Sequence, residues 1–144
     1  MAWIEPKTDW KVSYDSDGNY TGDYFNFEDY NRIIGNLSYL KEMADALFLR
    51  FSVEDMGSEK AYESMIYARE INVIEDNLEV INQNTYGFDI GDKVTYQANR
   101  GTPLWSELNR IEGACLLLYK TMIVQKNLLP RLSFTLGGQK GIRV

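Results

Sequence analysis

The 144-residue chain has no histidine, one cysteine and three prolines. Without imidazole there is no Ser-His-Asp or Cys-His nucleophile pair and no histidine ligand for zinc or haem. No side chain has an ordinary pKa near neutrality. A single cysteine can form neither an internal disulfide nor a CxxC site. Long apolar runs are missing too: the longest, residues 114–119, is far short of the roughly 20 residues a membrane-crossing helix needs. Positive charge is scarce, with 15 Lys and Arg against 21 Asp and Glu and a net charge of −6. A protein that tracks phosphates needs a basic field to release counterions, so no nucleic-acid partner is expected. Residues 1–7 lack the basic and apolar stretches of a signal peptide, which predicts a protein made in the cytoplasm.

What is present is apolar and aromatic enough, at 44% and 13%, for one domain with a real core spanning residues 1–144. Charge is uneven along it. Residues 1–30 hold seven acids and two bases, whereas residues 110–144 hold one acid and six bases. The two ends are therefore expected to attract, within one subunit or head-to-tail between subunits.

An internal repeat organises the middle of the chain. Asp29-Tyr30-Asn31-Arg32-Ile33 recurs as Glu70-Ile71-Asn72-Val73-Ile74 and as Glu107-Leu108-Asn109-Arg110-Ile111. Each copy opens a stretch with apolar residues at alternating steps of three and four: Tyr30, Ile33, Leu37, Leu40, Ala44 and Leu47; then Ile71, Ile74, Leu78 and Ile81; then Leu104, Leu108, Ile111, Cys115, Leu118 and Met122. The third adds Leu116, Leu117, Ile123 and Val124 and is expected to be the most buried helix. Asn26 with Asp29 reads as a helix cap, Thr102-Pro103 as another, and the second helix is expected to begin between Glu59 and Ala68. Residues 84–101 read as a long ordered loop anchored by Tyr86, Phe88 and Ile90. The expected fold is mainly α: an antiparallel three-helix bundle (26–127) with an N-terminal aromatic arm or hairpin (1–25) and a short C-terminal β segment (128–144).

Asparagine costs propensity inside a helix, so Asn31, Asn72 and Asn109 ask for a reason. The simplest is that each amide bonds a neighbouring loop or helix end and sets the register. The acids Asp29, Glu70 and Glu107 sit where the helix dipole favours negative charge, which outweighs an acid–base role. Cys115 lies on the apolar seam and is expected to be inert. Asp15, Asp17, Asn19, Thr21 and Asp23 alternate like calcium ligands, but Tyr20 and Asn26 stand where an EF-hand needs glycine and a bidentate acid. An acidic turn between two short strands is the better reading. A carboxylate pair in a cleft would suffice for a glycosidase, though no spacing singles one out. Residues 137–141, Gly137-Gly138-Gln139-Lys140-Gly141, open no helix and read as a turn. No catalytic residue, cofactor or metal is expected.

Trp3, Trp10, Tyr14, Tyr20 and Tyr24 are candidate interaction residues, alternatively lids over the end of the bundle. Arg131 and Phe134 join them in the C-terminal segment, where alternation over 132–136 predicts a strand able to pair with a partner's edge.

Trp10 after Thr8-Asp9, the stretch from Asp23 to Ile33, the repeat from Glu107 to Ile111 and the stretch from Leu129 to Gly138 together resemble small phage and prophage proteins of Gram-positive gut bacteria, tail- or baseplate-associated structural modules. The resemblance implies a non-enzymatic virion role in the tail, with other phage structural proteins or further copies of the chain as partners. It supplies no catalytic residue. The other expectation left open is a host-surface carbohydrate-binding or adhesion module using the Trp and Tyr cluster.

Overall fold

The computed structural model describes residues 2–98 and 103–136, with side chains described up to residue 128. Three helices carry the fold: α1 (Phe27–Leu47), α2 (Ala68–Gln83) and α3 (Trp105–Leu136). Each starts where local chemistry dictates. The Asn26 side chain accepts the N–H groups of Glu28 and Asp29, and the Asp29 carboxylate accepts the Asn26 N–H, a reciprocal capping box. Glu70 reaches back to the Tyr67 N–H in the same way at the start of α2. In α3, Leu104 accepts the first backbone bonds from Glu107 and Leu108. The helix thus begins two residues later than a Thr102-Pro103 cap predicts; Pro103 is buried ahead of it, and Thr102 lies outside the described residues.

The seams meet in one core. Tyr30, Ile71 and Leu108 share a register position of the repeat, as do Ile33, Ile74 and Ile111, then Leu37, Leu78 and Cys115, then Leu40, Ile81 and Leu118; all twelve are buried. The level above pairs a small residue, Ala44, with a large one, Met122. Leu104 is exposed, and so are Leu117 and Val124. The additional apolar residues of α3 therefore broaden its outer face, and the expectation that it is the most buried helix is corrected.

The helices run parallel, which overturns the antiparallel arrangement expected from the seams. Arg32, in the second turn of α1, bonds Glu112 in the third turn of α3, and Arg110 of α3 bonds Glu75 of α2. Halfway up, Trp3 stacks on Tyr119 of α3 at 4.0 Å between ring centroids and leans on Tyr39 of α1. At the far end Phe48 meets Tyr86 edge-on, and the Tyr86 hydroxyl donates to Gln125 of α3 at 2.6 Å. Equal heights are thus in contact from bottom to top. Parallel neighbours need the chain to return the full length of a helix, and residues 48–67 do so as an extended segment, as do the described residues 84–98 between α2 and α3. The seam periodicity is the same for either direction, so connection length was the discriminating signal.

The expected N-terminal hairpin is present. Tyr14 and Tyr20 bridge antiparallel around a turn in which Gly18 has φ +84°, and Thr21 and Asp23 donate to the carbonyls of Ser13 and Lys11. No strand occurs among the described residues. Residues 132–136, expected as a strand, form the last turns of α3; the apolar positions 129, 132 and 136 continue the helical register of Leu118 and Met122. The turn at residues 137–141 lies outside the described residues. No helix among the described residues is long and apolar enough to cross a membrane.

Candidate functional site: asparagine tethers and the N-terminal face of the bundle

Asparagine carries a peptide-like amide, one donor and one acceptor side by side, and can pair with an extended backbone as a neighbouring strand would. All three repeat asparagines do this with a returning segment. Asn109 accepts the Trp10 N–H at 2.8 Å and donates to the Trp10 carbonyl at 3.0 Å. Asn31 pairs with both groups of Lys60 at 2.7 and 2.8 Å, and Asn72 with both groups of Tyr96 at 2.7 and 2.9 Å. A second set lies five residues on: Asn36 clamps Ile4 and Asn77 clamps Glu54. The corresponding position of α3 is Ala114, and the third segment is held instead by Asn82, which clamps Phe88. Repeat logic identified the first set. The second set and Asn82 were missed, although Asn36 and Asn77 share a spacing from Asn31 and Asn72 that could have revealed them.

The tethers impose a cyclic order. Each returning segment bonds the helix it leads into and the helix that precedes it, with the N-terminal arm closing the ring between α1 and α3. The chain therefore has an internal pseudo-threefold axis along the bundle. The segment residues held by the repeat asparagines send their own side chains to an acid. Trp10 Nε1 donates to Glu112 at 2.6 Å, the Tyr96 hydroxyl to Glu75 at 3.1 Å, and Lys60 Nζ sits 2.8 Å from Glu70.

Two of the three helix boundaries hold buried ion pairs. Glu112, 1% exposed, receives Arg32 through both oxygens, the Lys7 N–H and the Trp10 indole. Glu75, equally buried, receives Arg110, the Val94 N–H and the Tyr96 hydroxyl on one oxygen. Burial pulls each arginine pKa down, but the facing carboxylate outweighs it and both are raised. At the α1–α2 boundary the same register positions carry Ile34 and Val73, so an apolar pair stands where the other two have charge. The repeat acids are structural as well: Asp29 and Glu107 pair with Arg32 and Arg110, and Glu70 with Lys60. With three parallel helices the positive dipole ends lie side by side, and one acid near each start offsets that.

The remaining candidates divide by depth. Trp10 is 4% exposed, stacks on Trp105 at 5.1 Å and has Arg32 over its ring, so it is a core residue and no surface anchor. Trp3 is half-buried against Tyr39 and Tyr119. Tyr14 and Tyr24 are exposed, and with half-buried Tyr20 they form an edge-to-face row along a shallow groove that also takes in Phe25 and Trp105. The side chains of Arg131 and Phe134 lie outside the described residues. Asp15 accepts the N–H groups of Asp17 and Asn19, and Asp23 accepts the Lys11 N–H and pairs with Lys7. These carboxylates stabilise the hairpin, and no group of three or more acids, cysteines or histidines is placed to hold a metal ion among the described residues. Cys115 is buried, and burial, reinforced by nearby Glu112, pushes its thiol pKa far up.

Where the chain enters the three helices, the repeat brings Phe25, Ile66 and Pro103 to one register position, six residues before each asparagine. They line a single depression of about 420 Å³ together with Asn26, Glu28, Ser64, Ile71 and the edge-to-face pair Phe27 and Tyr62. Around this axial socket large apolar side chains, Tyr24, Tyr62, Met65, Tyr67 and Leu104, are exposed alongside the acids Glu28 and Glu63. The socket was not predicted, because its members are remote in sequence and individually unremarkable as loop residues. Comparison with protein-family models, with curated proteins and with solved structures gave no match to this chain.

Proposed function

We propose that the protein is a non-enzymatic structural and assembly module of a phage or prophage virion, tail- or baseplate-associated, made in the bacterial cytoplasm. The sequence resemblance supplies the setting. The observation that carries the assembly role is the use of the polar repeat residues: Asn31, Asn72 and Asn109, with the acids beside them, are spent on holding returning segments and boundaries. What remains outward is a rigid body with large apolar side chains exposed on its end face, suited to contact with other structural proteins or further copies. The reading requires the protein to co-purify with tail particles after prophage induction. Its confinement to the soluble fraction, with particles complete without it, would reject the reading.

A second reading is favoured by one observation, the exposed Tyr14, Tyr20 and Tyr24 groove, since aromatic faces suit sugar rings. In that case glycan-array signal is lost on Tyr24→Ala. Trp10→Ala is not informative, because Trp10 is core.

A further inference from the structure

The geometry points to a head-to-tail contact between copies of this chain, in which residues 128–144 of one copy dock on the axial socket of the next. This deepens the assembly reading above and rests on it. The socket face exposes large apolar side chains and carries the exposed acids Glu28 and Glu63 beside Phe27 and Tyr62. The chain has no acid after Glu112, and residues 126–144 contain Lys126, Arg131, Lys140 and Arg143 among Leu128, Leu129, Leu132, Phe134 and Leu136. The socket face and the sequence of residues 126–144 are therefore opposite in charge, and both are rich in apolar residues.

Position excludes closure within one molecule. The Tyr86–Gln125 bond and the Phe48–Tyr86 contact mark the height at which α1 and α2 end, and α3 continues from there to Leu136, about 16 Å further at 1.5 Å per residue. The socket is at the opposite end of the bundle, where all three helices begin. From Leu136 the return is about 48 Å, counting the overhang and the roughly 32 Å length of the 21-residue α1. Residues 137–144 span at most about 28 Å when fully extended. The overhang points away from its own socket and toward that of a following copy. Such a contact is heterologous: each copy offers one tail and one socket, so copies stack in a row.

The test uses full-length chains in sedimentation velocity over a concentration series. Wild type is expected to form a ladder of species that shrinks as salt is raised. Tyr62→Lys combined with Leu104→Lys alters only exposed side chains and sets positive charge on the socket face against the basic tail; Leu132→Glu combined with Phe134→Glu removes apolar anchors from the tail and offsets its positive charge. Each double variant, with helicity checked by circular dichroism, is expected to associate at least about tenfold more weakly, as loss of central apolar anchors does. Mixed together they are expected to form a discrete 1:1 complex, because one retains a good tail and the other a good socket. Wild type that stays monomeric, variants that still form the ladder, or a mixture with no heterodimer overturns the contact. A monomeric chain that still co-purifies with tail particles rejects the contact alone. A heterodimer from a protein absent from particles rejects the virion role alone.

Discussion

Replacing Asn109 by alanine isolates a tether, because it removes two hydrogen bonds to one buried residue and little else. The amide holds the Trp10 N–H at 2.8 Å and the Trp10 carbonyl at 3.0 Å, and Trp10 is 4% exposed. Leaving a buried backbone group unpaired costs about 1–3 kcal/mol, so the pair costs about 2–6. Alanine is a better helix former than asparagine by up to about 0.7 kcal/mol, which offsets part of the loss. A net destabilisation of about 1–5 kcal/mol is expected, a large part of the roughly 5–15 kcal/mol that a domain commands. The assay is urea denaturation followed by circular dichroism, with hydrogen exchange at the Trp10 amide as a local readout. Asn127→Ala, an exposed asparagine on the same helix, is the control and should change stability by no more than about 0.5 kcal/mol. A second comparison sharpens the result. Asn109→Asp keeps the acceptor for the Trp10 N–H but turns a carboxylate oxygen toward the Trp10 carbonyl, and it should cost at least as much as alanine at pH 7. If Asn109→Ala matches the Asn127→Ala control, or if Trp10 exchange is unchanged, the tether account is wrong.

Three further outcomes follow from the same geometry. Spin labels at Glu42 and Gln83, exposed positions of equal height on α1 and α2, should lie closer together by pulsed electron resonance than labels at Glu28 and Gln83; the opposite order would mean antiparallel helices. Arg32→Ala strips the buried Glu112 of its two-pronged partner and should destabilise by about 3–5 kcal/mol in urea melts, whereas a cost under about 1 kcal/mol would show that the boundary is not held by charge. The Cys115 thiol has its pKa raised by burial, so above an ordinary thiol pKa of about 8.5 the unfolded chain loses a proton that the folded chain keeps. Stability should then fall with pH by about 1.4 kcal/mol per unit, and Cys115→Ala should remove that slope between pH 8.5 and the onset of tyrosine ionisation near pH 10. Tyr30, pushed up to about 12 by burial, adds a decline of the same sign above that range. An identical slope in the two proteins would refute the assignment.

The helices were legible because they depend on local signals: most core positions follow from three-and-four spacing and the α1 cap from Asn26 with Asp29, while α2 starts at Ala68, the late end of the range expected from Glu59 to Ala68. Direction was not, since Tyr30, Ile33 and Leu37 present the same seam whichever way the neighbour runs. The repeat asparagines were correctly singled out by their cost inside a helix, but their partners Trp10, Lys60 and Tyr96 are fixed by tertiary routing alone. Trp10 could be read as an interaction residue or as a lid over the bundle end, and the choice was open for a related reason. Its indole N–H needs a buried acceptor, and the one it finds, Glu112, lies 102 residues away.

Parallel packing and the extended returns have one origin. A chain that repeats a helix with its polar amide facing one side can satisfy those amides only if something extended lies in each groove, and the segment leading to the next helix is the chain available to do it. Filling the groove carries the chain back to the bottom of the bundle, and the following helix must then rise beside the first. Three rounds close the ring, with the N-terminal arm serving as the return that precedes α1. The departures from symmetry show where function has room. Apolar Ile34 and Val73 stand where the other two boundaries carry a charge pair, and Ala114 gives up a tether that Asn82 recovers elsewhere. The end face differs, because Phe25, Ile66 and Pro103 are alike in position and unlike in shape, so the socket they enclose sits on the axis but is not symmetric about it.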